Sequence, residues 1–416
     1  MNILYIDHYA GTPDLGMEYR PYYLAREWVE TGHNVTILAA EYSHYRFNQP
    51  HISKDFEEQL IDKIRYVWVK TPHYSGNGFG RIRNMLIFIC KVFFKTNFLV
   101  HKYDPDVVIA SSTYPFDNYI ARRISKISDA VFIYEVHDLW PLSPIELGGY
   151  SRYHPFILCV QHAEDFAYKN ADAVISILPE TKSYMQQHGL DPKKWFFIPN
   201  GISVKEWELQ EMIPVQVSEK INAIRQNSST IVGYVGTHGL ANALEPFIRA
   251  ARLLVEYDIE LVLVGDGPEK KKLIQLAREM NLSNVHFFDS VPKQTIPDLL
   301  KQFDILYLGW YNREFYKYGI SSNKLLDYMM AGKPVIHSVG AGNDLVADAH
   351  CGISVPPEDS NTIADAILKL KLLPENELKE MGNNGKKYVL QNYDYKNLAQ
   401  KFLGVMYDLD SLLNNN

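Results

Sequence analysis

Residues 318–336 read YGISSNKLLDYMMAGKPVI, and the fold class turns on this stretch. The polar run Ser321-Ser322-Asn323 suits a helix start, Leu325, Leu326, Met329 and Met330 recur behind it at helical spacing, and Gly332-Lys333-Pro334 ends the helix ahead of a strand. Such a helix start presents unpaired N–H groups and a partial positive charge. Ser321 to Leu325, with Ser322 and Asn323 at the centre, therefore form a candidate phosphate site, and Lys324 adds a full charge to it. Asp327 lies about one turn further along, a suitable distance for ribose hydroxyls. The competing interpretation is an ordinary capped helix in a parallel-sheet domain.

Upstream of this stretch the same alternation recurs. Strands are expected at Ile231 to Val235, Leu261 to Val264, Val285 to Phe288 and Ile305 to Leu308, separated by helices and by the glycine-bounded loops Gly236-Thr237-His238-Gly239 and Gly265-Asp266-Gly267-Pro268. The N-terminal half repeats the pattern. Ile3 to Ile6 is a strand, Tyr19 to Thr31 a helix and Val35 to Ala39 a returning strand, with further strands at Val107 to Ala110, Val131 to Val136, Ala171 to Ile177 and Phe196 to Ile198. The polar segment Ile202 to Ser229 reads as a connection. The expectation is an α/β protein of two doubly wound, Rossmann-like domains, residues 1–200 and 201–390, whose facing strand ends line a cleft. A C-terminal helix within 391–416 crosses back to the first domain. Neither first βα loop carries GxGxxG, which weakens a nicotinamide or flavin assignment.

The composition limits the function classes. At 416 residues the chain exceeds one ordinary core, and its net charge of -7 argues against non-specific nucleic-acid binding. Cys90, Cys159 and Cys351 are odd in number and widely spaced, which suggests neither a disulfide framework nor a zinc site and fits a reducing cytosol. The chain opens on a strand without space for a secretory leader, so a cytoplasmic location is expected. The acidic pair Asp104 and Asp106 has metal-ligand spacing but precedes its strand, and is assigned to a turn.

Residues 81–103 are basic and very apolar. Arg81, Arg83, Lys91, Lys95 and Lys102 are interleaved with Met85, Leu86, Phe88, Phe93, Phe94 and Phe98. The segment is a poor transmembrane span; it suits either docking on an anionic membrane surface or packing in the core with its lysine stems extended to water. His137-Asp138 follows a strand, at the end where ligands bind in such sheets. It is a candidate for contacting a sugar hydroxyl or a proton in transfer, although a lone histidine is more often structural.

Taken together, HDLWP, GTHG, VGDGPEKKKL, VPKQTIPDLLKQFDILYL and SSNKLLDYMMAGKPVI resemble the family 4 glycosyltransferases of GT-B fold, in particular the bacterial O-antigen and capsule branch that uses UDP-activated N-acetylamino sugars, including fucosaminyl transferases. The resemblance implies retaining, metal-independent transfer from a UDP-sugar to a saccharide or polyprenyl-diphosphate-linked acceptor, with no cofactor, at the inner face of the membrane. It implies donor contacts at Gly16, Gly236, Thr237, Gly239, Val291 and Asp327, and an active-site role for His137. Glu18 and Arg20, with Asp138, would shape the acceptor pocket. The first glutamate of the family's Glu-x7-Glu motif falls at Gly319, and the usual Arg and Lys pair after the first loop of the second domain is absent. Lys324 is the substitute for that pair in neutralising the leaving diphosphate. Two alternatives stay open: a sugar-nucleotide 2-epimerase of the same fold, and a non-catalytic sugar-nucleotide-binding partner.

Overall fold

The computed structural model describes residues 1–76, 78–209, 211–227 and 229–414, which form two units: residues 1–200 with the C-terminal helix Tyr395–Asn414, and residues 201–394. The last two residues of the Asn414 to Asn416 tail, expected to be disordered, lie outside the described residues.

The first unit is built on eight strands: β1 (Asn2–Ile6), β2 (Asn34–Ala40), β3 (Glu57–Ile61), β4 (Ile64–Val69), β5 (Val107–Ala110), β6 (Val131–Val136), β7 (Ala173–Ser176) and β8 (Trp195–Phe197). They lie in the order β3-β4-β2-β1-β5-β6-β7-β8, all parallel except β3, which runs antiparallel to β4. Strands β5, β6 and β7 are buried throughout, because helices cover both faces of a parallel sheet; continuous apolar runs such as VVIA follow from that. The chain winds outward from β1 to β2 and later from β5 to β6. The switch point therefore lies between β1 and β5, which places a ligand crevice at their carboxyl ends.

The second unit has six parallel strands: β9 (Thr230–Val235), β10 (Ile259–Val264), β11 (Val285–Phe288), β12 (Ile305–Gly309), β13 (Val335–Ser338) and β14 (Gly352–Ser354). Their order is β11-β10-β9-β12-β13-β14, with the switch point between β9 and β12. The loop Gly236 to Gly239 leaves β9, and the stretch that leads into the helix Asn323–Met330 leaves β12. Both elements singled out in the sequence thus flank one switch point.

The structure adds a hairpin, divides residues 81–103 into two helices and corrects the reading of Ile202 to Ser229. The β3–β4 hairpin was not legible, because its turn residues Asp62 and Lys63 both adopt positive φ (48° and 65°) without the glycine that normally marks such a turn. Residues 81–103 are two helices, Phe79–Phe94 and Thr96–Tyr103, bent by 62° at Lys95, and no single described helix is long and apolar enough to cross a membrane. The segment Ile202 to Ser229 is not a free connection: Ile202, Ile213 and Ile221 are buried in the core of the second unit, and it holds the helices Val204–Glu208 and Val215–Asn227. Asp106 accepts a hydrogen bond from the Asn2 N–H at 2.6 Å and Asp104 caps a helix in the left-handed conformation, which are turn roles.

The helix Tyr395–Asn414 completes the first core. It packs on the helix Arg20–Glu30, where Trp28 meets Phe402 edge-on at 5.2 Å and donates from Nε1 to the Ala399 carbonyl at 3.0 Å, and Tyr23 stacks on Tyr395 at 4.9 Å. Removing a fully buried tryptophan leaves a cavity. Trp28→Ala should cost about 3–5 kcal/mol in the urea unfolding of the first unit. An unchanged midpoint would show that the C-terminal helix is not part of that core.

Candidate functional site

In the second unit the site is organised by glycines that let backbone and lysine share one small space. Gly236 has φ +152°, and a Cβ there would lie 2.5 Å from Cε of Lys324. A larger residue would have to displace that side chain. A Cβ on Gly265 would meet the Gly236 carbonyl at 1.9 Å and one on Gly267 the His238 carbonyl at 2.4 Å, so the two glycine loops lie backbone on backbone. Hydrogen bonds from the Gly236 N–H to the Val264 carbonyl (2.9 Å) and from the His238 N–H to the Asp266 carbonyl (2.8 Å) hold them there.

Lys324 crosses this loop. Its Nζ donates to the Tyr234 hydroxyl and to Oδ1 of Asn242, both at 2.8 Å, and lies over the Tyr234 ring at 4.5 Å. Tyr234 and Asn242 in turn donate to the Thr237 carbonyl at 2.7 and 2.9 Å, which fixes the loop against the lysine. Among the described residues no carboxylate pairs with the ammonium, and burial pushes its pKa down to about 7. Lys324 also stands in the first turn of its helix. Ser322 caps that helix by accepting from the Leu325 N–H at 3.4 Å, so its hydroxyl is engaged with its own helix. The positive end of the helix and a lysine without a counter-ion together make an anion site.

Asp327 is half-buried one turn further along, and burial raises its carboxyl to about 7 against the opposing pull of Lys293. Val291 is half-buried, its side chain packed against the core of the second unit. Thr237 is exposed and Gly239 begins a short 3-10 turn. Gly319, at the position of the missing glutamate, has φ +94°, a conformation that a glutamate would adopt only under strain. The adjoining Ile320 is tied on both sides of its backbone to Asn343, at 2.8 and 3.1 Å.

In the first unit the carboxyl ends of the neighbouring strands β1, β5 and β6 bring together Asp7, Ser111 and His137. Nε2 of His137 lies 2.8 Å from Oγ of Ser111 and 3.3 Å from Oε2 of Glu135. Glu135 is fully buried, and its carboxylate also receives the Tyr5 hydroxyl and the Ser111 hydroxyl (2.6 Å) on Oε2 and Nε of Arg20 (2.9 Å) on Oε1. These partners hold Glu135 far below the usual carboxylate range, and Glu135 raises His137 despite its burial. Asp7 is buried with Oδ2 unpartnered, and its carboxyl is pushed up to about 7. Glu18 is half-buried and raised, and Asp138 is exposed.

Arg20 is a correction. Its side chain is buried, pairs with Glu135 and donates to the Pro199 and Ile198 carbonyls, so it has nothing to offer an acceptor. Gly16 is required by the loop itself, since a Cβ there would come within 2.9 Å of the Arg46 Cα. The residues missed in the sequence are Ser111, Glu135, Tyr234, Asn242 and Lys293. Only Glu135 left a signal: a carboxylate inside an otherwise apolar strand, two residues before His137.

Comparison with known proteins then accounts for both halves. Residues 16–206 match the family described as Glycosyltransferase Family 4, and residues 229–371 match Glycosyl transferases group 1. Each half thus matches a glycosyltransferase domain, and the two have the GT-B fold. Over 56% of its length the chain is 25% identical to an uncharacterized glycosyltransferase, MJ1069 of Methanocaldococcus jannaschii, and it spans 58% of that relative. It is 21% identical to the putative colanic acid biosynthesis glycosyl transferase WcaI of Escherichia coli, over 91% of this chain and 93% of that one. Among solved structures, Anabaena HepE in complex with UDP-glucose superposes with a TM-score of 0.66 at 17% identity, covering 98% of this chain and 99% of HepE.

In this GT-B protein the titration of Lys324 is directly measurable. With lysine labelled at Cε, one resonance should titrate near pH 7 and vanish in Lys324→Arg. If every lysine titrates in the ordinary range, the ammonium is better solvated or paired than its burial implies.

Proposed function

We propose that the protein moves a sugar, an N-acetylamino sugar, from a UDP-sugar to a saccharide or polyprenyl-diphosphate-linked acceptor, with retention and without a metal ion, in the cytoplasmic assembly of a bacterial surface polysaccharide. The observation that carries this reading is Lys324, held across a glycine loop at a helix N-terminus with no counter-ion among the described residues. The UDP-glucose bound to HepE and the colanic acid in the name of WcaI support the donor class and the pathway class.

In this proposal the diphosphate lies at Gly236 to Gly239 and the start of the helix Asn323–Met330, with the ribose at Asp327. As the bond between the anomeric carbon and the phosphate oxygen breaks, negative charge grows on the diphosphate. Lys324 and the N–H groups of the helix start are already in place to meet it. Burial alone leaves Lys324 near pKa 7, and the anionic oxygens of a bound diphosphate favour its charged form, so the ammonium is in place before the leaving group gains its last charge. The acceptor oxygen bonds to the same face of the anomeric carbon and its proton passes to the departing phosphate. Glu18, Asp138 and His137 serve the acceptor side. Gly319 leaves the sugar without the family's first motif glutamate, so neighbouring backbone holds it.

The test is a mass-spectrometric screen of UDP-sugars against lipid-linked and free saccharide acceptors in excess EDTA. Transfer should persist without free divalent metal; loss restored by magnesium or manganese would overturn the metal-free route. Lys324→Ala should lower turnover by on the order of a hundredfold, about 3 kcal/mol in the transition state, whereas Asp327→Ala should mainly weaken UDP binding in calorimetry. Epimer formed from donor alone would instead favour the epimerase.

For the membrane side, the helix Phe79–Phe94 and its continuation expose Phe79, Leu86, Phe93, Phe94 and Phe98 beside Arg83 and Lys95. Lys91 is paired with Asp55, Lys102 with Glu58, and Arg81 donates to the Tyr9 hydroxyl, so these three cations are committed within the protein. Arg83 and Lys95 remain for an anionic surface, each worth about 1 kcal/mol there. The protein should co-sediment with anionic vesicles at low salt, and Arg83→Gln, Lys95→Gln and Phe94→Ser combined should release it. A parent protein that stays in the supernatant would remove the membrane from the proposal.

A further inference from the structure

We infer that Glu135 is a positioning residue for His137: acting with Ser111, it holds the imidazole with Nε2–H turned into the protein and Nδ1 presented to a ligand oxygen. The inference rests on the reading of His137 as a ligand-contacting group in sugar transfer, and names what makes that group usable.

The proton inventory of the cluster leaves one arrangement. Ser111 has a single hydroxyl hydrogen, and Oε2 of Glu135 at 2.6 Å claims it over the Tyr5 oxygen at 3.2 Å, which itself donates to Glu135. Toward His137 the serine oxygen can therefore only accept, at 2.8 Å, and Oε2 of Glu135 at 3.3 Å is an acceptor as well. Nε2 must carry a hydrogen. Oε1 of Glu135 is occupied by Arg20, and the Tyr5 hydroxyl donates to Oε2, so the carboxylate has no freedom to rotate away. The position of Glu135 follows from strand geometry, since side chains two apart on a strand share a face and His137 directly follows β6. Ser111 follows β5 in the same way, on the adjacent strand.

With Nε2–H satisfied inside, Nδ1 is the only nitrogen left for a ligand. In the neutral ring it accepts; in the charged ring it donates. The groups facing the ring decide which form prevails, and they are acidic: Glu135 on β6, Asp7 after β1, and Glu18 from the loop ahead of the helix Arg20–Glu30, with Asp138 next in the chain. Arg20, the cation of the cluster, binds the other carboxylate oxygen of Glu135 and is already paired there. The surroundings favour the charged ring, and in that form Nδ1–H is a donor suited to an electron-rich oxygen, such as a sugar hydroxyl or a phosphate oxygen. As pH rises through the raised pKa of His137 that donor is lost, and a step that depends on it slows on the alkaline side.

The experiment compares the wild-type protein, Glu135→Gln and Ser111→Ala by ring-nitrogen NMR of His137 and by the pH profile of transfer. In Glu135→Gln the ring should titrate lower by about one unit or more, and the alkaline limb of kcat/KM should move down by the same amount while UDP affinity is retained. In Ser111→Ala, which leaves the Arg20–Glu135 pair intact, the neutral ring should keep Nε2–H as in wild type, because Oε2 of Glu135 still accepts from it. A folded Glu135→Gln whose ring titration is unmoved, or a wild-type ring protonated at Nδ1 when neutral, overturns the inference. If Glu135→Gln does not fold, the tautomer result in Ser111→Ala and wild type decides alone. The NMR readings need no substrate, so absence of transfer with a ring that still responds to Glu135 would count against the proposed function and not against the positioning.

Discussion

A carboxylate in the middle of a parallel sheet costs several kcal/mol unless cations and donors surround it, and Glu135 imposes that condition on the first unit. Satisfying it requires Tyr5 on β1, Ser111 after β5 and Arg20 on the helix Arg20–Glu30, which stand 130, 24 and 115 positions from Glu135 in sequence. Arg20 then directs its remaining donors to the carbonyls of Ile198 and Pro199, which fastens the end of β8 and the exit from the unit. One charge thus connects the sheet, its first helix and the last strand. What these partners leave unneutralised is the field that acts on His137.

The second unit meets an opposite problem, a cation with no carboxylate. Lys324 is stabilised by a hydroxyl, an amide oxygen and an aromatic face, none of which carries a full charge. Its pKa near 7 is the sign of that incomplete compensation. A site left in this state binds anions well because the missing counter-charge is what the ligand brings. The glycines at 236, 265 and 267 serve the same end: by giving up side chains they allow two loops and a lysine to occupy space that one ordinary loop would fill.

Much of this was legible in the sequence. Strands buried on both faces read as apolar runs, and the helix Asn323–Met330 was announced by its polar start, its apolar spacing and its Gly-Lys-Pro end. The hairpin of β3 and β4 was not, because Asp62 and Lys63 take the positive φ of a tight turn without glycine. Arg20 was misassigned for a different reason: nothing local distinguishes an arginine that meets a ligand from one that meets a glutamate 115 positions away. Tyr234 and Asn242 were invisible as partners of Lys324 because only the folding of β9 beside β12 brings them to it. Local chemistry is written in the local sequence, whereas pairings that cross the sheet are not.

The return of the helix Tyr395–Asn414 to the first unit also has a consequence during synthesis. Trp28 and Tyr23 are made early, but Phe402, Ala399 and Tyr395, which cover them, follow much later, Ala399 standing 371 positions after Trp28. At ordinary elongation rates the ribosome takes about 10–40 s to make residues 201–394, and throughout that interval the first unit has an uncovered apolar face. The second unit is contiguous and can close its own core as it emerges. The N-terminal unit is therefore the later of the two to be completed, and its nascent form is the one that needs protection from aggregation.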